Sequence, residues 1–84
     1  MHVDHPSKEL WLQRLRARLL EVLDGPGVPV LDIEWLLLRC DDTLAMEGDW
    51  RQRSLHQLVK DVQDFNSEFP GYLPDDLLRQ PGPG

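Results

Sequence analysis

The chain has 84 residues, one cysteine, and 15 acidic against 9 basic residues, a formal net charge of −6. That length allows one domain and buries only roughly 60–65% of the surface an unfolded chain exposes. The acidity argues against nucleic acid and anionic membrane surfaces as partners, because both demand cations. A lone Cys40 excludes an internal disulfide, and a small secreted domain would usually carry several. The first residues, Met1 to Pro6, are polar and lack a basic stretch followed by an apolar one. The longest apolar run, Trp35 to Leu38, is far too short to cross a bilayer. A cytoplasmic protein is expected.

Residues 1–6 read as a loose tail, and Ser7 as an N-cap for the first helix. Trp11, Leu12, Leu15, Leu19, Val22 and Leu23 then recur at spacings of three and four, one face of a helix over about residues 8–24. Gln13, Arg14, Arg16 and Arg18 fill its other side. Gly25-Pro26-Gly27 ends it, because a glycine accepts the left-handed backbone and proline blocks continuation.

Val28 to Leu31 is a short apolar connector, in which Pro29 weakens any reading as a strand. Asp32 is the expected N-cap of a second helix over about residues 32–47, with Leu31 and Leu36 at the staple positions. Ile33, Leu36, Leu37, Cys40 and Leu44 share a face, and Trp35 and Leu38 widen it. A helix apolar over so much of its circumference is expected to be the central, most buried one.

Glu47-Gly48-Asp49 is the next break, and Asp49 with Gln52 has the spacing of a capping box. Leu55, Leu58, Val59, Val62, Phe65 and Phe69 predict a third helix over about residues 50–68, closed by Pro70-Gly71. Pro74 to Leu78 resembles one further helical turn with proline at its start, near residues 74–79. Residues 80–84 have the composition of a flexible end. The expected fold is all-α, an antiparallel bundle of three main helices plus a short C-terminal turn. Its core should contain Leu15, Leu19, Leu36, Cys40, Leu44, Leu55, Leu58, Val62 and Phe65.

Reactive constellations are missing from the pattern. Cys40 falls on an apolar stripe, where a cysteine behaves as a small inert hydrophobe. His56 sits at an outward position. Gly25-Pro26-Gly27 has neither phosphate-loop spacing. His2, Asp4 and His5 could touch a transition metal but lack a second cluster to complete a shell. The acids from Asp41 to Asp49 lack the spacing of a calcium loop. No cofactor, metal or catalytic residue is expected, and the protein does not read as an enzyme.

Charge is distributed unevenly. Residues 21–50 hold eight acids and only Arg39, whereas residues 1–20 hold four bases and two acids. Two readings stay open. The acids pair internally with the arginines of the first helix, or they form a docking surface for a basic protein. The docking residues would be Asp41, Asp42, Glu47 and Asp49, with Trp50, Asp61 and Asp64 beside them. Acids at the C-terminal end of a helix oppose its dipole, so their presence there asks for a cation. Trp11 and Trp50 either cap the bundle or, if exposed among carboxylates, make a binding hot spot.

Leu23-Asp24-Gly25, Asp61-Val62-Gln63-Asp64-Phe65 and Pro74-Asp75-Asp76, in this order, resemble the small helical immunity proteins of bacterial toxin systems, in particular the colicin D-like and contact-dependent-inhibition group. The resemblance spans roughly residues 10–78. It implies an acidic protein that plugs the basic active site of a nuclease toxin, its carboxylates standing in for RNA phosphates. The alternative is a non-catalytic accessory or scaffolding subunit that packs its aromatics on a larger protein or on a second copy of itself.

Overall fold

The computed structural model describes residues 8–79 and contains four helices and no strand among them. They are α1 (Lys8–Leu23), α2 (Val30–Ala45), α3 (Gly48–Glu68) and the short α4 (Asp75–Leu78). Short connections make α1, α2 and α3 alternate in direction, with α2 packed on both of the others and α4 closing the bundle against α3 and α1. The expected all-α bundle with a short C-terminal helix is the fold. The expected Ser7 cap, the two flexible ends and the trio His2, Asp4 and His5 lie outside the described residues.

Helix α1 stops where the backbone bonds shorten. The Asp24 amide donates to the Glu21 carbonyl at 3.2 Å and the Gly25 amide to the Val22 carbonyl at 2.9 Å. The left-handed residue of this turn is Gly27, with φ of 69°. Helix α2 then begins earlier than Asp32. Pro29 precedes its first residue, and the Pro29 carbonyl accepts from the Ile33 amide at 3.0 Å. Proline has no amide to leave unsatisfied and its φ of −76° suits a helix entry, so it starts the helix without a side-chain cap. Asp32 accordingly lies inside the first turn rather than at its cap, where its charge faces the positive end of the helix dipole. Likewise Asp49 lies in the first turn of α3 and makes no capping hydrogen bond. Gly48, with φ of 60°, makes the sharp α2–α3 reversal.

The core is formed by Trp11, Leu12, Leu15, Leu19 and Val22 from α1, Ile33, Leu36 and Cys40 from α2, and Leu55, Leu58, Val59, Val62 and Phe65 from α3. Leu73 and Leu77 close its end. Of the expected core residues only Leu44 differs. It is half-buried, and Thr43 takes the fully buried place one position earlier. A buried threonine is tolerated there because its hydroxyl is engaged: Oγ1 donates to the Arg39 carbonyl at 2.8 Å and lies 2.6 Å from Ser54 Oγ.

The larger departure concerns α2. Its contact face is the single row Ile33, Leu36, Cys40 and Thr43. Leu31, Trp35 and Leu38 are 82%, 51% and 60% exposed. Helix α2 is therefore central in the packing order but not buried all round. Two helices, α1 and α3, pack on it and cover only one side, so its second apolar row faces solvent.

Candidate functional site

The first turns of α2 run beside the last turns of α3. Between them lies a groove of about 140 Å³ lined by Asp32, Trp35 and Leu36 of α2 and by Asp61, Asp64, Phe65 and Glu68 of α3. Spacings of three and four put Asp61, Asp64, Phe65 and Glu68 on one edge of α3. Phe65 is buried and stacked obliquely on Phe69 and Tyr72, with ring centroids 5.4 and 6.2 Å away. Leu36 is buried as well, so the floor is apolar and fixed while Trp35 stands half in water above it.

Four carboxylates rim this groove, and they are not equivalent. Asp61 is engaged: Arg39 Nε donates to its Oδ2 at 3.4 Å and Gln57 Nε2 to its Oδ1 at 3.1 Å. Arg39 also reaches the Ser54 hydroxyl and the Ser54 carbonyl, at 3.2 and 3.3 Å. This half-buried network ties α2 to α3 and holds the groove's walls in register. Asp32, Asp64 and Glu68 have no hydrogen-bond or ion-pair partner among the described residues, and all three are exposed. The groove thus presents negative charge that no cation among the described residues pairs with.

The acids singled out from the sequence fall into two groups. Asp41 is paired with a helix-one arginine, Arg16 Nε donating to Oδ1 at 2.7 Å, with both side chains about half exposed. Asp61 is paired with Arg39 as described. Asp42, Glu47 and Asp49 are exposed and have no partner among the described residues, and Asp64 belongs to the groove. Trp50 is 69% exposed, and the Arg53 guanidinium carbon lies 5.6 Å from its ring centroid. Trp11, by contrast, is buried in the core. Of the remaining arginines of α1, Arg14 pairs with Asp76 of α4, and Arg18 donates to the Tyr72 carbonyl at 2.9 Å and pairs with Glu21 at 3.2 Å. Internal pairing accounts for these cations, and it leaves most of the acidity of α2 and its flanks unmatched.

Sequence reasoning missed Trp35, Asp32 and Glu68 as members of one site, and Leu31 and Leu38 as exposed. The signal was present. Leu31, Trp35 and Leu38 are spaced i, i+4, i+7, a second apolar row on the side of α2 away from Ile33, Leu36 and Cys40.

Cys40 is buried, and that burial, with Asp41 next to it, pushes its thiol up to about 12 against the smaller opposing pull of Arg16 and Arg39. It is held as an inert thiol rather than a nucleophile. His56 is exposed. Among the described residues there is no cluster of three or more metal-ligating side chains, and no helix is long and apolar enough to cross a membrane. No protein-family model, curated protein or solved structure matches the chain.

Proposed function

We infer that this protein is an acidic docking module that binds a basic surface of another protein through the α2–α3 groove. The observation that carries this reading is the placement of a half-exposed tryptophan, Trp35, among Asp32, Asp64 and Glu68, three carboxylates with no cation paired to them among the described residues. A tryptophan gives a binding partner a large contact area, and unpaired carboxylates steer and orient a cationic surface. Asp42, Glu47 and Asp49 extend the same sign of charge toward the α2–α3 turn, where Trp50 is exposed. The resemblance to immunity proteins supplies a finer form: an inhibitor that occupies the basic active site of a nuclease toxin, with groove carboxylates standing where substrate phosphates would lie.

The test compares wild-type protein with an Asp64→Asn/Glu68→Gln variant and with Trp35→Ala as baits in a native lysate. The expected result is a basic protein retained by the wild type at about 0.1 M salt, released as the salt is raised several-fold, and lost from both variants. Retention of the same protein by both variants would sink the groove as the site. For the finer form, the captured protein's nuclease activity should fall as the wild type is added. A captured partner without nuclease activity removes the inhibitor form and leaves the docking module.

A second reading is favoured by the exposed Leu31, Trp35 and Leu38: an accessory subunit that packs this apolar row on a larger protein or on a second copy. Salt separates the two, because an apolar interface keeps its affinity at high ionic strength while electrostatic capture does not.

A further inference from the structure

The row Leu31, Trp35, Leu38 continues to Asp42, one residue per turn along the outer side of α2, and spans about 16 Å at 1.5 Å per residue. Glu34 lies on one flank and Asp32 on the other, both exposed. The helix's single cation, Arg39, is half-buried and committed to Asp61 and Ser54. Trp35 belongs both to this row and to the groove, so the apolar strip and the unpaired Asp64 and Glu68 form one continuous surface. The row's apolar part, Leu31 to Leu38, spans about 10 Å, or two turns, and such a strip with carboxylates along both sides has the dimensions and the charge of a receptor for a helix.

We propose that the element docked here is a cationic amphipathic α-helix of the partner protein, laid along α2 with its apolar residues on Leu31, Trp35 and Leu38 and its lysines or arginines against Asp32, Glu34, Asp42, Asp64 and Glu68. This proposal rests on the basic-partner reading above and specifies the partner's binding element. The geometry favours a helix because two to three turns of apolar positions repeating at i, i+3 or i+4 and i+7 match the row on α2. Charge decides against a second copy of this chain. Two such faces brought together would set Asp32, Glu34 and Asp42 of each against the same acids of the other, with no free cation on α2 to offset them.

The test uses an 18-residue leucine–lysine peptide with leucines at i, i+3, i+4 and i+7, and a scrambled peptide of identical composition, titrated against the full chain by anisotropy of the labelled peptide. The expected result is that the patterned peptide binds about tenfold more tightly than the scrambled one. Leu31→Gln/Leu38→Gln should weaken it by about tenfold. Those side chains are exposed, so the thermal melt of that variant should stay unchanged. Leu20→Gln, at an exposed position on α1, should bind as the wild type does. Asp32→Asn/Glu34→Gln should weaken binding and flatten its salt dependence. Equal binding of the two peptides, with the acid variant still weakened, overturns the helix while leaving the basic-partner reading intact. Binding of neither peptide at low salt overturns both. A wild-type chain that sediments as a dimer, and becomes a monomer on Leu31→Gln/Leu38→Gln without binding peptide, overturns the proposal in favour of a second copy.

Discussion

The closed hydrogen-bond circuit between α2 and α3 gives a sharp energetic prediction. The Thr43 hydroxyl proton goes to the Arg39 carbonyl, so the 2.6 Å contact between Thr43 and Ser54 is donated by Ser54. Ser54 Oγ in turn accepts from the Arg39 guanidinium at 3.2 Å. Thr43→Val keeps the shape but strands the Ser54 hydroxyl proton in a buried site, which costs about 1–3 kcal/mol. Ser54→Ala removes an acceptor from Arg39, whose other bonds to Asp61 and to the Ser54 carbonyl persist, and it costs about 0.5–1.5 kcal/mol. The double variant no longer contains the stranded proton. It should therefore be less destabilised than the two single changes added together, by about 1 kcal/mol. Urea unfolding followed by tryptophan fluorescence measures all four proteins. In thermal melts each kcal/mol corresponds to about 4–8 °C for a domain of this size. Additivity within about 0.5 kcal/mol would refute the circuit, because independent sites add and members of one network do not.

Other expectations concern the core, the thiol and the acids. Leu58→Ala, at a fully buried position on α3, should cost about 2–5 kcal/mol and leave little or no cooperative melt in a domain this small. Cys40 should resist a thiol reagent at about pH 8 in the folded protein and react once urea unfolds the chain. Its folded pKa lies above the unfolded one, so this thiol's contribution to stability is intact below about pH 9 and declines as pH rises toward 12. Urea midpoints across that range check the slope. Asp41→Asn breaks the half-exposed pair with Arg16 and should cost under about 1 kcal/mol. Asp42→Asn, in the last turn of α2 and without an internal cation, should leave the melting temperature unchanged or raise it slightly.

Much of the bundle was legible from periodicity. The rows through Leu15 and Leu19, Leu36 and Cys40, and Leu58 and Val62 each repeat at three and four, and burial of such rows is the main driving force for folding. The glycine and proline breaks at Gly25-Pro26-Gly27, Gly48 and Pro70-Gly71 marked the ends of helices, because proline cannot continue the hydrogen-bond ladder and glycine takes the left-handed backbone that a turn needs. The starts of α2 and α3 were less legible. A cap is a local preference worth about 1 kcal/mol, and Pro29 by its fixed φ and Gly48 by its freedom to take a positive φ set those starts instead of Asp32 and Asp49.

The pairing of charges was not written in the sequence. Which acid meets which arginine depends on how helices lie side by side, so Arg16 with Asp41 and Arg39 with Asp61 emerge only from packing across 25 and 22 residues of chain. The same holds for the candidate site. Periodicity shows that α2 has two apolar rows, but a row is buried only where another element covers it. Neither α1, α3 nor α4 covers Leu31, Trp35 and Leu38. The sequence alone thus determined the helices and their inward faces, through spacings that repeat along a single element. Tertiary structure decided which second face stays open and which carboxylates remain unpaired, because both depend on neighbours distant in the chain.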